Sequence, residues 1–101
     1  MMLEPYIMSG EKSTSTQIST KPGILLAVDL LPPDAGIAIL KLYDSNSGSV
    51  ADKVIFEAAA AAGESSANHV LTAGRFVTKG IYAGLTDATA TCRFNIGYSV
   101  I

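Results

Sequence analysis

The most reactive side chains of this sequence are few, since it contains one cysteine, Cys92, and one histidine, His69. A cysteine nucleophile needs a base such as imidazole beside an accessible thiol. Cys92 instead falls on the apolar side of an alternating segment, where its thiol is expected to be buried and inert. A zinc site of the usual kind needs three or four Cys or His ligands. The sequence therefore predicts neither a catalytic Cys–His pair nor a zinc site.

Asp44 and Asn46 have the spacing of the first two ligands of a calcium loop. No further acidic ligand follows at the required spacing, and no glutamate closes a loop of twelve residues. Asp44 is therefore predicted to cap its own turn through hydrogen bonds to the backbone.

Glycines and tyrosines supply the other candidate binding features. Gly74, Gly80 and Gly84 lack the spacing and the following helix of a phosphate-binding loop, and they are predicted to mark corners and bulges. Tyr82 and Tyr98 could stack on sugars, although sandwich proteins usually bury or half-bury such side chains. Taken together, these features predict no catalytic residue, no cofactor site and no metal site.

Composition limits the partners of the chain. Seven Lys and Arg and nine Asp and Glu give a formal charge of -2, and the basic residues Arg75, Lys79 and Arg93 are expected on solvated strand faces. This balance predicts no binding to nucleic acid or to acidic lipid. The sequence is 49% apolar and only 16% charged, so part of the apolar surface is expected to contact a partner protein.

The amino-terminal segment Met1–Met8 lacks the basic and apolar regions of a secretory signal. No apolar run approaches the roughly 20 residues that span a bilayer. We therefore expect a soluble protein that is made in the cytosol and has no membrane partner.

Alternation of apolar residues predicts several strands. Ile37–Asp44 places Ala38, Leu40 and Leu42 on one face and ends at the polar turn 45–49. Ile24–Leu31 is a nearly continuous apolar run, expected to form a central strand covered on both faces. Its expected common face consists of Ile24, Leu26, Val28 and Leu30. The last strand is expected to share one apolar face from Ala90 to Val100, with Phe94 and Ile96 in the core.

Five alanines, Ala58–Ala62, follow another alternating segment that begins at Asp52. We predict that they end a strand and enter a tight loop, with a single helical turn as the alternative.

These segments amount to seven or eight short strands without a convincing helix, a pattern typical of an antiparallel sandwich or barrel. We predict an all-β fold, an antiparallel two-sheet β-sandwich, for which a jelly roll is one fitting arrangement. At 101 residues the chain has room for one domain. Residues 23–101 are assigned to the sandwich. Residues 1–22 are predicted to be an N-terminal arm or edge strand, with a partly disordered tail as the other interpretation.

Two segments carry a family resemblance. Leu40–Gly48 reads Leu-Lys-Leu-Tyr-Asp-Ser-Asn-Ser-Gly, and Gly74–Leu85 contains the pattern Gly-x-Phe-x-x-x-Gly-Ile-Tyr. Over residues 23–101 the chain resembles small virion structural proteins of tailed bacteriophages. The resemblance implies a capsid decoration or cement protein that binds the major capsid protein, commonly as a homotrimer, with no catalytic residues. It also implies a place on the capsid surface of the virion after synthesis in the host cytoplasm.

Two other functions fit the same sequence. A neck, tail or fibre-joint protein would share the fold and differ in its place in the virion. A carbohydrate-binding module would use exposed tyrosines such as Tyr82 or Tyr98.

Overall fold

The computed structural model describes residues 6–101, and these residues form eight β-strands. The strands are β1 (Ile7–Met8), β2 (Thr16–Ser19), β3 (Gly23–Leu31), β4 (Ile37–Asp44), β5 (Val54–Ala61), β6 (Ala67–Val77), β7 (Ile81–Thr86) and β8 (Arg93–Val100). Within this range no helix is long and apolar enough to cross a membrane.

The strands form two four-stranded antiparallel sheets, which confirms the predicted two-sheet β-sandwich. The first sheet has the order β1-β8-β3-β6 and the second sheet has the order β2-β7-β4-β5. The first four strands pair with the last four in reverse, β1 with β8, β2 with β7, β3 with β6 and β4 with β5. This is the strand order of a jelly roll, in which an antiparallel ribbon is folded over itself.

The inner faces of the two sheets enclose one core. In β4, Ala38, Leu40 and Leu42 are all fully buried, and in β8 Phe94 and Ile96 are too. The alternation that predicted these faces is confirmed, because in a strand every second side chain points to the same side.

A bulge in β3 breaks the alternation expected for that strand. Tyr98 and Gly97 are consecutive in β8, but their partners Leu25 and Ala27 are not, so Leu26 is an extra residue. The prediction that Ile24 and Leu26 share one face with Val28 and Leu30 is therefore wrong. The residues of β3 in the core cluster are Leu25, Val28 and Leu30.

The described part of the N-terminal region contributes two short edge strands. β1 lies at the edge of the first sheet beside β8, and β2 lies at the edge of the second sheet beside β7. The Gln17 amide holds β2 in place, because its Nε2 donates to the carbonyl oxygens of Ser45 at 2.8 Å and of Ile81 at 3.0 Å. Residues 1–5, which the arm prediction also includes, lie outside the described residues.

The alanine run continues β5 as far as Ala61 and then turns at Ala62 and Gly63. Gly63 has φ +86°, a conformation that glycine adopts without a steric penalty. The predicted strand end and tight loop are confirmed, and the helical turn does not form.

Candidate functional site

The Asp44 carboxylate clamps a distant loop rather than its own turn. It accepts hydrogen bonds from the backbone N–H groups of Thr78 at 3.1 Å, Lys79 at 2.8 Å and Gly80 at 3.4 Å. The turn after β4 is instead held by Ser45, whose Oγ accepts from two backbone N–H groups. The prediction that Asp44 caps its own turn is wrong, because the fold brings the β6–β7 loop within reach of its carboxylate.

The hydrogen bonds to Asp44 leave it little capacity for a ligand. Burial raises the pKa of this carboxyl group, but the donors from the β6–β7 loop outweigh burial and hold the pKa below its ordinary value. Among residues 6–101 no three His, Cys, Asp or Glu side chains are grouped so that they could hold a metal ion. The observed contacts of Asp44 are those that hold the β6–β7 loop.

Asp87 performs a similar task that the sequence did not reveal. Its carboxylate accepts from the N–H groups of Thr91 and Cys92, both at 2.8 Å, and the bond from Cys92 is the main cause of its lowered pKa. Ala90 lies within this loop at φ +56°. The strand therefore begins at Arg93, and the expectation that it already includes Ala90 is wrong.

Cys92 and His69 are not joined by any hydrogen bond in the part of the chain that the structure describes. The thiol of Cys92 donates to the carbonyl oxygen of Leu31 at 3.0 Å, and burial raises its pKa, which disfavours the thiolate. The imidazole of His69 packs edge-on against Phe56, with ring centroids 5.3 Å apart. These contacts provide no activated nucleophile.

The two tyrosines considered as sugar-stacking residues belong to different environments. Tyr98 packs against the core, and its hydroxyl donates to the carbonyl oxygen of Ile18 at 3.4 Å. Tyr82 is opposite Tyr43 across the β4–β7 pair, and their ring centroids are 6.2 Å apart. The aromatic neighbour of Tyr82 is therefore Tyr43, on the outer face of the second sheet.

A groove of about 210 Å³ lies beside these two rings. Its lining residues are Ser15, Lys41, Tyr43, Val50, Tyr82, Gly84, Leu85 and Thr86. Gly84 leaves the space open, because a Cβ there would lie 3.2 Å from Cε1 of Tyr43. The prediction that Gly84 marks a corner or bulge is wrong, since it lies inside β7.

The outer face of the first sheet carries exposed apolar side chains. One row of paired residues crosses all four strands, namely Met8, Gly97, Ala27 and Val70. Met8 and Val70 at its two ends are exposed, whereas Gly97 and Ala27 between them are buried. The Val70 side chain is 70% exposed. Tyr6 lies over Gly97, since a Cβ at Gly97 would clash with its ring.

A second row continues this surface. Phe76 pairs with Ile24 and is 61% exposed, although Ile24 itself is buried. Gly74, at φ +72°, lies so close that a Cβ would contact Cγ2 of Ile24 at 2.5 Å. The prediction that Gly74 marks a bulge is confirmed. We name the exposed residues of both rows, Tyr6, Met8, Val70 and Phe76, the apolar patch.

Comparisons with known proteins identify no relative, since no protein-family model, no curated protein and no solved structure matches this chain.

Proposed function

We propose that this chain is a non-enzymatic virion structural protein that binds the outer surface of a phage capsid and cements neighbouring subunits of the major capsid protein. The observation that carries the proposal is the apolar patch on the first sheet. Large apolar side chains that are exposed together on one face of a folded protein mark contact with a partner more often than ones scattered singly do.

The dimensions of the patch suit a protein contact. Its first row crosses four strands, a width of roughly 14 Å at about 4.8 Å per strand step. A row of polar residues borders the apolar patch on the same face. In this row the Asn68 amide donates to the Asp29 carboxylate, and Asn95 of β8 is the strand partner of Asp29. An apolar centre with a polar rim is the usual composition of a protein–protein interface.

The two segments that resemble phage virion proteins lie together in the fold. Asp44 from the first segment pairs with Ile81 from the second and accepts the N–H of Gly80. Tyr43 from the first lies opposite Tyr82 from the second. The shared motif residues therefore support each other and carry no reactive group, which favours a structural protein over an enzyme.

Cementing requires many copies that each bind modestly. A homotrimer on the shell presents three apolar patches, and once one patch has bound, the others bind at a high effective concentration. With a formal charge of only -2 on the whole chain, binding depends mainly on apolar contact and is expected to change little with salt.

Co-sedimentation with capsid shells of the encoding phage tests this proposal. Phe76→Ser should reduce the bound fraction about tenfold or more, since large buried interface side chains commonly contribute over 1 kcal/mol. The matched control is Ile37→Ser on the second sheet, because Ile37 is 63% exposed, and it should bind as the parent does. Failure of the parent protein to bind shells would overturn the proposal, and loss of binding in Ile37→Ser alone would place the contact on the other face.

The trimer is tested separately by light scattering. A protein that stays strictly monomeric both in solution and on the shell would contradict the homotrimer but leave capsid binding standing.

A further inference from the structure

The groove on the second sheet lies on the face opposite the apolar patch, where a bound capsid would leave it accessible. We infer that this groove binds one neutral sugar ring of a glycan. The inference does not depend on capsid binding, because the groove is formed within a single chain.

The size of the groove sets the size of the ligand. At about 210 Å³ it is smaller than the roughly 300–1,000 Å³ of pockets for drug-sized ligands. It has room for a single ring with one side open to solvent, which is the situation of a terminal or exposed sugar unit. A polymer chain would have to continue outside the groove.

Two tyrosine rings give the groove the apolar component that a pyranose needs. Tyr82 is half-buried and offers the accessible ring, whereas Tyr43 is only 8% exposed and forms a fixed wall beside it, next to Gly84. The ring of Tyr82 also lies close to the turn after β4, because a Cβ added at Gly48 would be 3.5 Å from Cε1 of the ring. Sugars pack their C–H faces on such rings, which lose little conformational freedom on binding.

The tyrosine hydroxyls supply the polar component. Within residues 6–101 no hydrogen bond occupies the hydroxyl of Tyr43 or of Tyr82, and neither is a buried oxygen without a partner. In this part of the chain both hydroxyls are therefore left to contact solvent or a ligand. They can exchange hydrogen bonds with sugar hydroxyls, as the hydroxyl of Thr86 at the rim also can.

Charge balance makes the expected sugar neutral. Among the described residues that line the groove, Lys41 alone is charged. Its Nζ lies 3.4 Å from Oε1 of Glu57, which stands directly opposite in β5. The carboxylate offsets the ammonium charge, so an acidic sugar gains little from Lys41 and is repelled by Glu57. The pair can still donate to and accept from neutral hydroxyl groups.

Titration of the isotope-labelled full chain with the methyl glycosides of glucose, galactose and N-acetylglucosamine, followed by NMR, tests the inference. At least one glycoside should shift the amide signals of 41–43 and 82–86 and leave those of Val70 and Phe76 unchanged. Tyr82→Ala should weaken that binding about tenfold or more. Phe76→Ser, on the opposite face, should bind as the parent does.

A second variant separates ligand contact from folding. Tyr82→Phe keeps the ring and its place near Gly48 but removes the hydroxyl, so its melting temperature should match that of the parent while sugar binding weakens. Absence of shifts with all three glycosides, or shifts centred on the first sheet, would overturn the inference. Binding of methyl glucuronide in preference to methyl glucoside would overturn the inference that the bound sugar is neutral.

Discussion

The outer faces of the two sheets differ in what they present to solvent. On the first sheet, Val70 and Phe76 belong to an apolar surface that crosses four strands. On the second sheet, Ile37 and Ile39 are also exposed, but each stands opposite a small alanine of β5. A groove with two tyrosines occupies the other end of that face. The inner faces, by contrast, are alike, because both must exclude water from one core. The difference indicates that the requirements of the core constrain the inner faces and leave the outer faces free to differ.

The largest effect is expected from a change in the core, because both sheets pack on it and both outer faces depend on it. Phe94 is fully buried, so Phe94→Ala should lower the free energy of unfolding by about 3–5 kcal/mol through lost burial and a cavity. Urea unfolding measures this loss, and it should reduce shell binding and sugar binding together. A loss below about 1 kcal/mol would mean that the two inner faces do not pack as described.

A smaller effect is expected where the faces are joined through the β6–β7 loop, which runs from the first sheet to the second. Asp44→Ala removes the acceptor for three backbone N–H groups and should cost roughly 1–3 kcal/mol. Thermal melting measures it. Asp34→Ala is a suitable control, because Asp34 is an exposed loop aspartate whose backbone rather than its carboxylate makes the hydrogen bond; an equal loss in the two variants would contradict the clamp.

The same clamp predicts a dependence of stability on pH. The pKa values of Asp44 and Asp87 are lowered in the folded state from an ordinary value of 3.8. Their contribution to stability is therefore complete above that value and is lost as the pH falls through the folded-state pKa. The melting temperature should be flat from neutral pH to about pH 5 and fall below about pH 4. Asp44→Asn should show a shallower fall, and a profile as steep as the parent's would count against the clamp.

The smallest expected effect on stability comes from the exposed residues themselves. Val70→Thr and Ile39→Thr change one outer face each and should alter the free energy of unfolding by no more than about 0.5 kcal/mol. Binding of a fluorescent dye specific for apolar surfaces should fall for Val70→Thr and stay the same for Ile39→Thr. A drop of equal size in both variants would show that the two faces are equally apolar, contrary to the comparison.

The alternation of apolar residues predicted the strands and most of their inner faces. The alternation of Ala38, Leu40 and Leu42 identified an inner face, because burial of one side of a strand requires it. The bulge at Leu26 could not be predicted, because its neighbours are also apolar. A shift of one residue in such a run leaves the apolar pattern the same. The loop at Asp87 could not be predicted either. It forms because the Asp87 carboxylate accepts from the N–H groups of Thr91 and Cys92, which prevents these residues from continuing the strand.

The candidate surfaces were less predictable because they join residues that are distant in sequence. Val70 lies in a segment without clear alternation, and its place beside Met8 follows from strand order. The sequence indicates Tyr82 and Tyr98 as possible sugar contacts, but it does not indicate Tyr43. Pairing of β4 with β7 places Tyr43 opposite Tyr82, and no spacing in the sequence specifies that register.

Imaging of the phage particle by electron cryomicroscopy tests the central claim most directly. The account predicts density for this chain over capsid hexamers or local threefold positions, with Val70 and Phe76 facing the shell and the groove beside Tyr82 facing outward. Density at the neck, the tail or a fibre joint, or a chain bound with its second sheet against the shell, would contradict it.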